Sequence, residues 1–198
     1  YKAQLSVSGG SEKTRFYLSG NYFNQKGILI GNDYRRITMR LNLDHKFNNF
    51  FEIGTNFNLS GIRNNPARFS WDDVLQIQPT LPVRQPDGSY TLVQDLTFRD
   101  FHNPLARNEF IHSSTLQNQI LSNSYVQLNF TKDLRLRTTL GINRRDERVE
   151  QYQSSQYPLN QINDIPGSGK VEMNTHTALL TENTLTYDKS FSDKHKIT

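Results

Sequence analysis

Between residues 36 and 44 every second side chain is apolar (Ile37, Met39, Leu41, Leu43), and those between them (Thr38, Arg40, Asn42) are polar. Successive side chains of an extended strand leave opposite faces, so a period of two gives a sheet one dry face and one wet face. The pattern recurs. Residues 51–60 set Phe51, Ile53, Thr55, Phe57 and Leu59 against Glu52, Gly54, Asn56, Asn58 and Ser60. Residues 1–8, 14–22, 123–130 and 134–143 repeat the design, 177–187 repeats it more weakly, and a last strand begins near His195. The dry faces carry no charge, whereas the wet faces carry Arg36, Arg40, Asp44, Glu52, Arg135, Arg137 and Glu182. The reading is all-β and antiparallel.

Such faces suit a soluble β-sandwich, where they pack on one another, and equally a membrane β-barrel, where they meet lipid while the wet faces line a lumen. Connection lengths favour the barrel. Short turns at 9–13, 46–50, 131–133 and 188–194 alternate with long connections at 25–34, 61–117 and 144–174. Tight turns at one end and long loops at the other mark outer-membrane barrels. Strands of roughly nine to eleven residues match a tilted crossing of the hydrocarbon layer. Aromatic residues also gather at the short-turn end (Phe16, Phe47, Phe50, Phe51, Phe130, Tyr187, Phe191), where an interfacial girdle belongs.

Composition removes other classes. With 34% hydrophobic residues, a mean hydropathy of −0.71 and apolar runs no longer than stretches such as Ile28-Leu29-Ile30, no segment reaches the ~20 apolar residues of a membrane-spanning helix. The absence of cysteine removes disulfides, thiolate metal sites and cysteine nucleophiles. The net charge of +4 is spread along the chain and does not form the basic stripe that nucleic acid requires. His45, His102, His112, His176 and His195 show no metal-ligand spacing, and the glycine pairs at 9–10 and 167–169 do not open a helix after a strand. No catalytic residue, metal site or cofactor is expected, and the chain does not read as an enzyme. It opens at Tyr1 without a signal-peptide pattern, and reads as a piece of a longer protein.

The 61–117 connection exceeds the length of an inert link. Ser70 is placed to cap a helix over 71–78, with Asp73 at the capping-box distance and Pro79 as the stop. Pro86-Asp87-Gly88 marks a turn in a small hairpin formed by 81–84 and 89–93. Trp71, Tyr90, Phe98 and Phe101 are the candidate contact residues, because aromatic faces stack on sugar rings and peptide side chains and are enriched at binding hot spots. Trp71 with Val74, Leu75 and Gln78 also has helical spacing, which suits packing within the loop.

The run from Leu5 through Gly9-Gly10-Ser11-Glu12-Lys13 to Gly20, on through Tyr22-Phe23-Asn24-Gln25-Lys26-Gly27 to Arg36, resembles the barrel of SusC/RagA-like TonB-dependent transporters of Bacteroidetes. Asn103-Pro104-Leu105-Ala106 and Glu182-Asn183-Thr184-Leu185-Thr186-Tyr187 are similar to stretches of the same family. The resemblance implies seven or eight strands of a 22-stranded barrel in the bacterial outer membrane, with 61–117 extracellular. It further implies uptake of glycans or peptides, a SusD-like surface lipoprotein as partner, and energy from TonB through a plug and a TonB box absent from this chain. The competing expectation is a soluble β-sandwich that binds carbohydrate or serves adhesion.

Overall fold

A computed structural model describes residues 1–68, 71–91, 93–95, 99–101, 103–191 and 195–197. Four strands come first: β1 (Lys2–Gly10), β2 (Thr14–Lys26), β3 (Asp33–Lys46) and β4 (Phe51–Asn65). The long connection holds α1 (Trp71–Gln76), β5 (Val93–Asp95), β6 (Arg99–Phe101) and α2 (Pro104–Phe110). Then come β7 (Ile111–Asn129), β8 (Leu134–Gln153), α3 (Pro158–Ile162), β9 (Ser168–Tyr187), β10 (Lys189–Phe191) and β11 (His195–Ile197). One antiparallel sheet of seven strands runs β1-β2-β3-β4-β7-β8-β9, so each strand pairs with its neighbour in the chain once the long connection is set aside.

The tight turns share one device. Ser11 Oγ accepts from the amides of Lys13 and Thr14, Asn48 Oδ1 from those of Phe50 and Phe51, and Thr131 Oγ1 from those of Asp133 and Leu134. A short polar side chain thus supplies the acceptor that the turning backbone lacks, and the turn fixes the register of its hairpin.

The register places the dry positions in continuous rows. Val7, Leu18, Leu41, Phe57, Ser122, Ile142 and Leu179 are successive cross-strand partners across all seven strands. Among the described residues nothing packs on this face: Leu5 is 81% exposed and Leu179 75%. Polar groups within it bond across strands, Thr55 Oγ1 to Ser124 Oγ at 2.8 Å and Thr138 Oγ1 to Asn183 Oδ1 at 2.8 Å. Phe51 to Leu59 covers about 26 Å of strand at ~3.3 Å per residue, or about 20 Å of depth at the ~40° tilt of such barrels. Phe47 stacks on Phe51 and Phe50 meets Phe130 edge-on at the tight-turn end, as the girdle predicts.

Strand lengths depart from expectation. β7, β8 and β9 have 19, 20 and 20 residues, so β8 and β9 occupy most of what reads as a 144–174 connection, leaving 154–167. The reason is the charge pattern: Arg144, Asp146 and Arg148 lie on one face of β8 and Arg145 and Glu147 on the other, which erases the alternation without breaking the ladder to β9. Likewise the 61–117 connection narrows to 66–110, because β4 runs to Asn65 and β7 starts at Ile111. The strand near His195 pairs with β10 and adds no strand to the main sheet. Helix α1 stops at Gln76, short of the expected Gln78, and the Ser70 cap lies outside the described residues.

The buried apolar residues are not in the sheet. Ala106, Tyr157 and Leu159 are the buried hydrophobic cluster among the described residues, packed by Tyr90, Phe110 and Ile111. It joins α2, α3 and the 83–91 hairpin into a small water-facing core at the end of the sheet opposite the tight turns.

Candidate functional site

Two surfaces carry chemistry, the polar face of the sheet and the loop assembly above it. On the polar face a hollow of about 490 Å³ extends over β1 to β4 and β7, lined by Gln4, Asn21, Arg36, Arg40, Asn58 and Gln119 among others. A hollow that spans five strands on the wet side puts that side on the concave surface of the curled sheet. Hydrogen-bonding side chains of both donor and acceptor type dominate it.

Nearer the tight turns, Tyr125 of β7 joins four strands. Its hydroxyl donates to Asp44 Oδ1 of β3 at 2.9 Å and to Glu52 Oε1 of β4 at 2.8 Å, and the Arg137 guanidinium of β8 lies 3.6 Å from its ring centroid. One hydroxyl has one proton, so the two carboxylates share it between them. Gly54 is the cross-strand partner of Tyr125, and it leaves the space that the ring fills.

In the loop assembly, residues 83–91 form the expected hairpin. The Gln85 amide donates to the Ser89 carbonyl, the Thr91 amide to the Val83 carbonyl, and Gly88 takes φ +87° at the turn. Asp87 accepts from the Ser89 hydroxyl at 2.6 Å and the Ser89 amide at 2.9 Å, which holds its carboxyl below the usual range. Asn103 caps α2, its Oδ1 accepting from the amides of Leu105 and Ala106 while its Nδ2 donates to the carbonyls of Val83 and Thr91. One buried amide therefore caps the start of the helix and ties the hairpin to it.

Arg84, Tyr90 and Glu109 close the same contact from outside. Arg84 Nη2 donates to the Tyr90 hydroxyl at 2.6 Å and to Glu109 Oε2 at 3.2 Å, and the Tyr90 hydroxyl donates to Glu109 Oε2. The guanidinium also lies 3.9 Å from the Tyr90 ring centroid, and Phe110 meets that ring edge-on. Burial first, and the Glu109 carboxylate second, push the Tyr90 phenol above its ordinary pKa.

The aromatic candidates are placed differently from one another. Trp71 opens α1 and is 62% exposed, with Leu75 one turn on at 77%. An apolar groove of about 240 Å³ lies beside that helix, lined by Val74, Ile77, Leu81, Val83 and Leu105 among others. Tyr90 is half-buried, its hydroxyl bonded and one ring face covered by Arg84. Phe101 ends β6, and Phe98 lies outside the described residues. Sequence reasoning missed Arg84, Asn103, Glu109 and Tyr125. For Asn103 a signal existed, since Asn before Pro is a helix start.

A sheet with one exposed face that carries an uncharged band on the tight-turn side, one polar concave face, tight turns at one end and folded loops at the other is a segment of a transmembrane β-barrel wall. No family model matches the chain. It is 31% identical over its whole length to TonB-dependent receptor P39 of Formosa agariphila and 26% identical to TonB-dependent receptor P26 of the same organism. The chain spans about a fifth of the length of these curated relatives. Among solved structures it superposes on the RagAB peptide transporter with a TM-score of 0.80 at 21% identity, covering 98% of this chain and 23% of that one. Over its whole length the chain is similar to one stretch of TonB-dependent receptors, and its fold is that of a piece of the RagAB transporter barrel.

Proposed function

We propose that these residues form wall and extracellular cap of an importer that draws glycans or peptides across the outer membrane, with a SusD-like lipoprotein at its mouth and TonB supplying energy through segments outside this chain. The polar concave face is the single observation that carries this reading: a wall of hydrogen-bond donors and acceptors hydrates a passage and offers transient hydrogen bonds to a polar cargo. The RagAB structure, described as a peptide importer, supports peptide as one cargo class.

Recognition falls to Trp71, Tyr90, Phe98 and Phe101 in the 61–117 connection. Trp71 is the best placed, because its ring and Leu75 present apolar surface beside a groove on the outer end of the assembly. Tyr90 offers less free ring and acts largely by holding the hairpin.

The test is uptake by the complete parent transporter. Trp71→Ala lowers uptake of labelled peptide or oligosaccharide, or affinity for the lipoprotein, while heat-modifiable migration on gels stays normal. A packing role for Trp71 would show as new protease cutting near Arg84 or Arg99. Unchanged uptake and partner affinity in a Trp71→Ala, Tyr90→Ala double variant removes the recognition role from this loop.

A further inference from the structure

The dry face does not end abruptly at the loop side. One row above Tyr22, Ile37 and Gly61 on that face, Arg35 of β3 and Arg63 of β4 are direct cross-strand partners, both exposed. Opposed residues in an antiparallel pair have Cα atoms about 4.5–5.5 Å apart, and like charges so placed repel. The next row brings Lys26 of β2 opposite Asp33 of β3. Asp33 is the sole carboxylate of these two rows on β2 to β4, and it is partly committed: Asn65 Nδ2 donates to its Oδ2 at 2.9 Å, and Arg35 Nε reaches its Oδ1 only at 3.8 Å. Among the described residues no carboxylate pairs with Arg63 or Lys26. On β8 the same face is balanced differently, with Arg144 paired to Asp146 and Arg148 to Glu150.

We infer that Lys26, Arg35 and Arg63 form a binding site for a phosphate group on the headgroup of an outer-leaflet lipid. Three observations converge on a lipid source. The patch faces outward, on the side of the sheet that carries Ile37 and Met39 and away from the polar hollow. It begins where the uncharged band stops, with Tyr22 beneath it at the level where amphipathic rings sit at the headgroups. It keeps an excess of positive charge just above the uncharged band that Leu18, Ile37, Met39, Leu41, Phe57 and Leu59 form on the same strands, and two guanidinium forks side by side fit the oxygens of a phosphate.

The experiment uses the complete parent transporter in detergent, with bisphosphorylated lipid A, its enzymatically dephosphorylated form, and inorganic phosphate as probes. Native mass spectrometry reads the lipid retained. The wild type retains bisphosphorylated lipid A, retains the dephosphorylated lipid about tenfold less or worse, and loses none of the lipid to millimolar inorganic phosphate. The Arg35→Gln, Arg63→Gln double variant drops to the dephosphorylated level, and Arg40→Gln, on the concave face, behaves as wild type. Equal retention of the two lipids by the wild type overturns the proposal without need of any variant. Equal retention by wild type and a folded double variant, or by wild type and Arg63→Gln alone together with Arg35→Gln alone, overturns it as well. Displacement by inorganic phosphate would show an anion site with no lipid specificity and so also overturns it. Loss of lipid binding leaves cargo uptake to be judged by the Trp71 experiment, so the two readings fail separately.

Discussion

The ring of Tyr125 stands where a side chain on Gly54 would have to be: a β-carbon built on Gly54 comes within 2.2 Å of a Tyr125 ring carbon. These two residues are cross-strand partners on β4 and β7, the one pair of adjacent strands in the main sheet joined by the long connection and not by a short turn or the 27–32 or 154–167 loops. A tight turn sets register locally, and here none is available, so the fit of ring into glycine supplies it. Gly54→Val is expected to lower the folded yield of the parent barrel sharply, read by heat-modifiable migration. Tyr125→Phe keeps the ring and loses a hydroxyl bonded to two carboxylates, and is expected to cost about 1–3 kcal/mol in urea unfolding. Equal effects of the two changes would show that the hydroxyl, not the fit, sets the register.

The two faces of β3 make opposite demands on charge. Leu41→Arg places a guanidinium in the dry row beside Leu18 and Phe57 and is expected to cost about 2–4 kcal/mol in lipid vesicles. Asn42→Arg, one residue on, projects into the wet face beside Tyr17 and Asn56 and should be mild. Reversible urea unfolding of the parent protein in vesicles separates them, and similar costs would contradict the assignment of the faces.

Asn103→Ala removes the cap of α2 and the donor to two hairpin carbonyls together. The cap alone is worth about 0.5–2 kcal/mol, and the Thr91 carbonyl, which loses the Asn103 donor while Val83 keeps the Thr91 amide, adds to it. Protease cutting near Arg84 should quicken while the barrel's own migration is unchanged. Resistance equal to wild type would mean that Ala106, Tyr157 and Leu159 hold the assembly without the amide.

The loop assembly also has a pH window. Asp87 has a depressed folded pKa, so its contribution is present above the unfolded value of ~3.9 and disappears as pH falls through the folded one. Tyr90 has a raised one, so its contribution is present below ~10 and disappears as pH rises through the folded value. Amide hydrogen exchange at Ser89 should accelerate, after correction for intrinsic rates, at the acid end, and exchange at Thr91 at the alkaline end. A profile flat at both ends would remove both groups from the hairpin's stability.

Legibility in the sequence followed distance along the chain. The dry rows were readable because alternation is a property of neighbours, and the tight turns because Ser11, Asn48 and Thr131 act on amides two and three residues away. The Tyr125 junction was not, since its carboxylate partners lie 81 and 73 residues off and Gly54 reads as one more small wet-face residue. The Arg84, Tyr90 and Glu109 contact was hidden in the same way, across 6, 19 and 25 residues. Strand ends were misread where charge on both faces removed the period while hydrogen bonding continued. Trp71, Phe98 and Phe101 rest on residue chemistry, which names a side chain able to bind and not the surface it meets.

The alternation that gives each strand its dry side also hides that side until the strand forms. Averaged along the chain, every apolar residue is diluted by a polar neighbour, which is why a wall with Leu5, Leu179 and Leu185 bare on one surface belongs to a chain of mean hydropathy −0.71. A translocation channel samples the chain in one dimension, over windows the length of a membrane helix, and finds nothing in this stretch to hold in the first bilayer it meets. Affinity for hydrocarbon arises only after extension and pairing sort the residues by parity. The membrane in which this wall resides is thus selected by when the strands form, later than any signal that a linear scan could read.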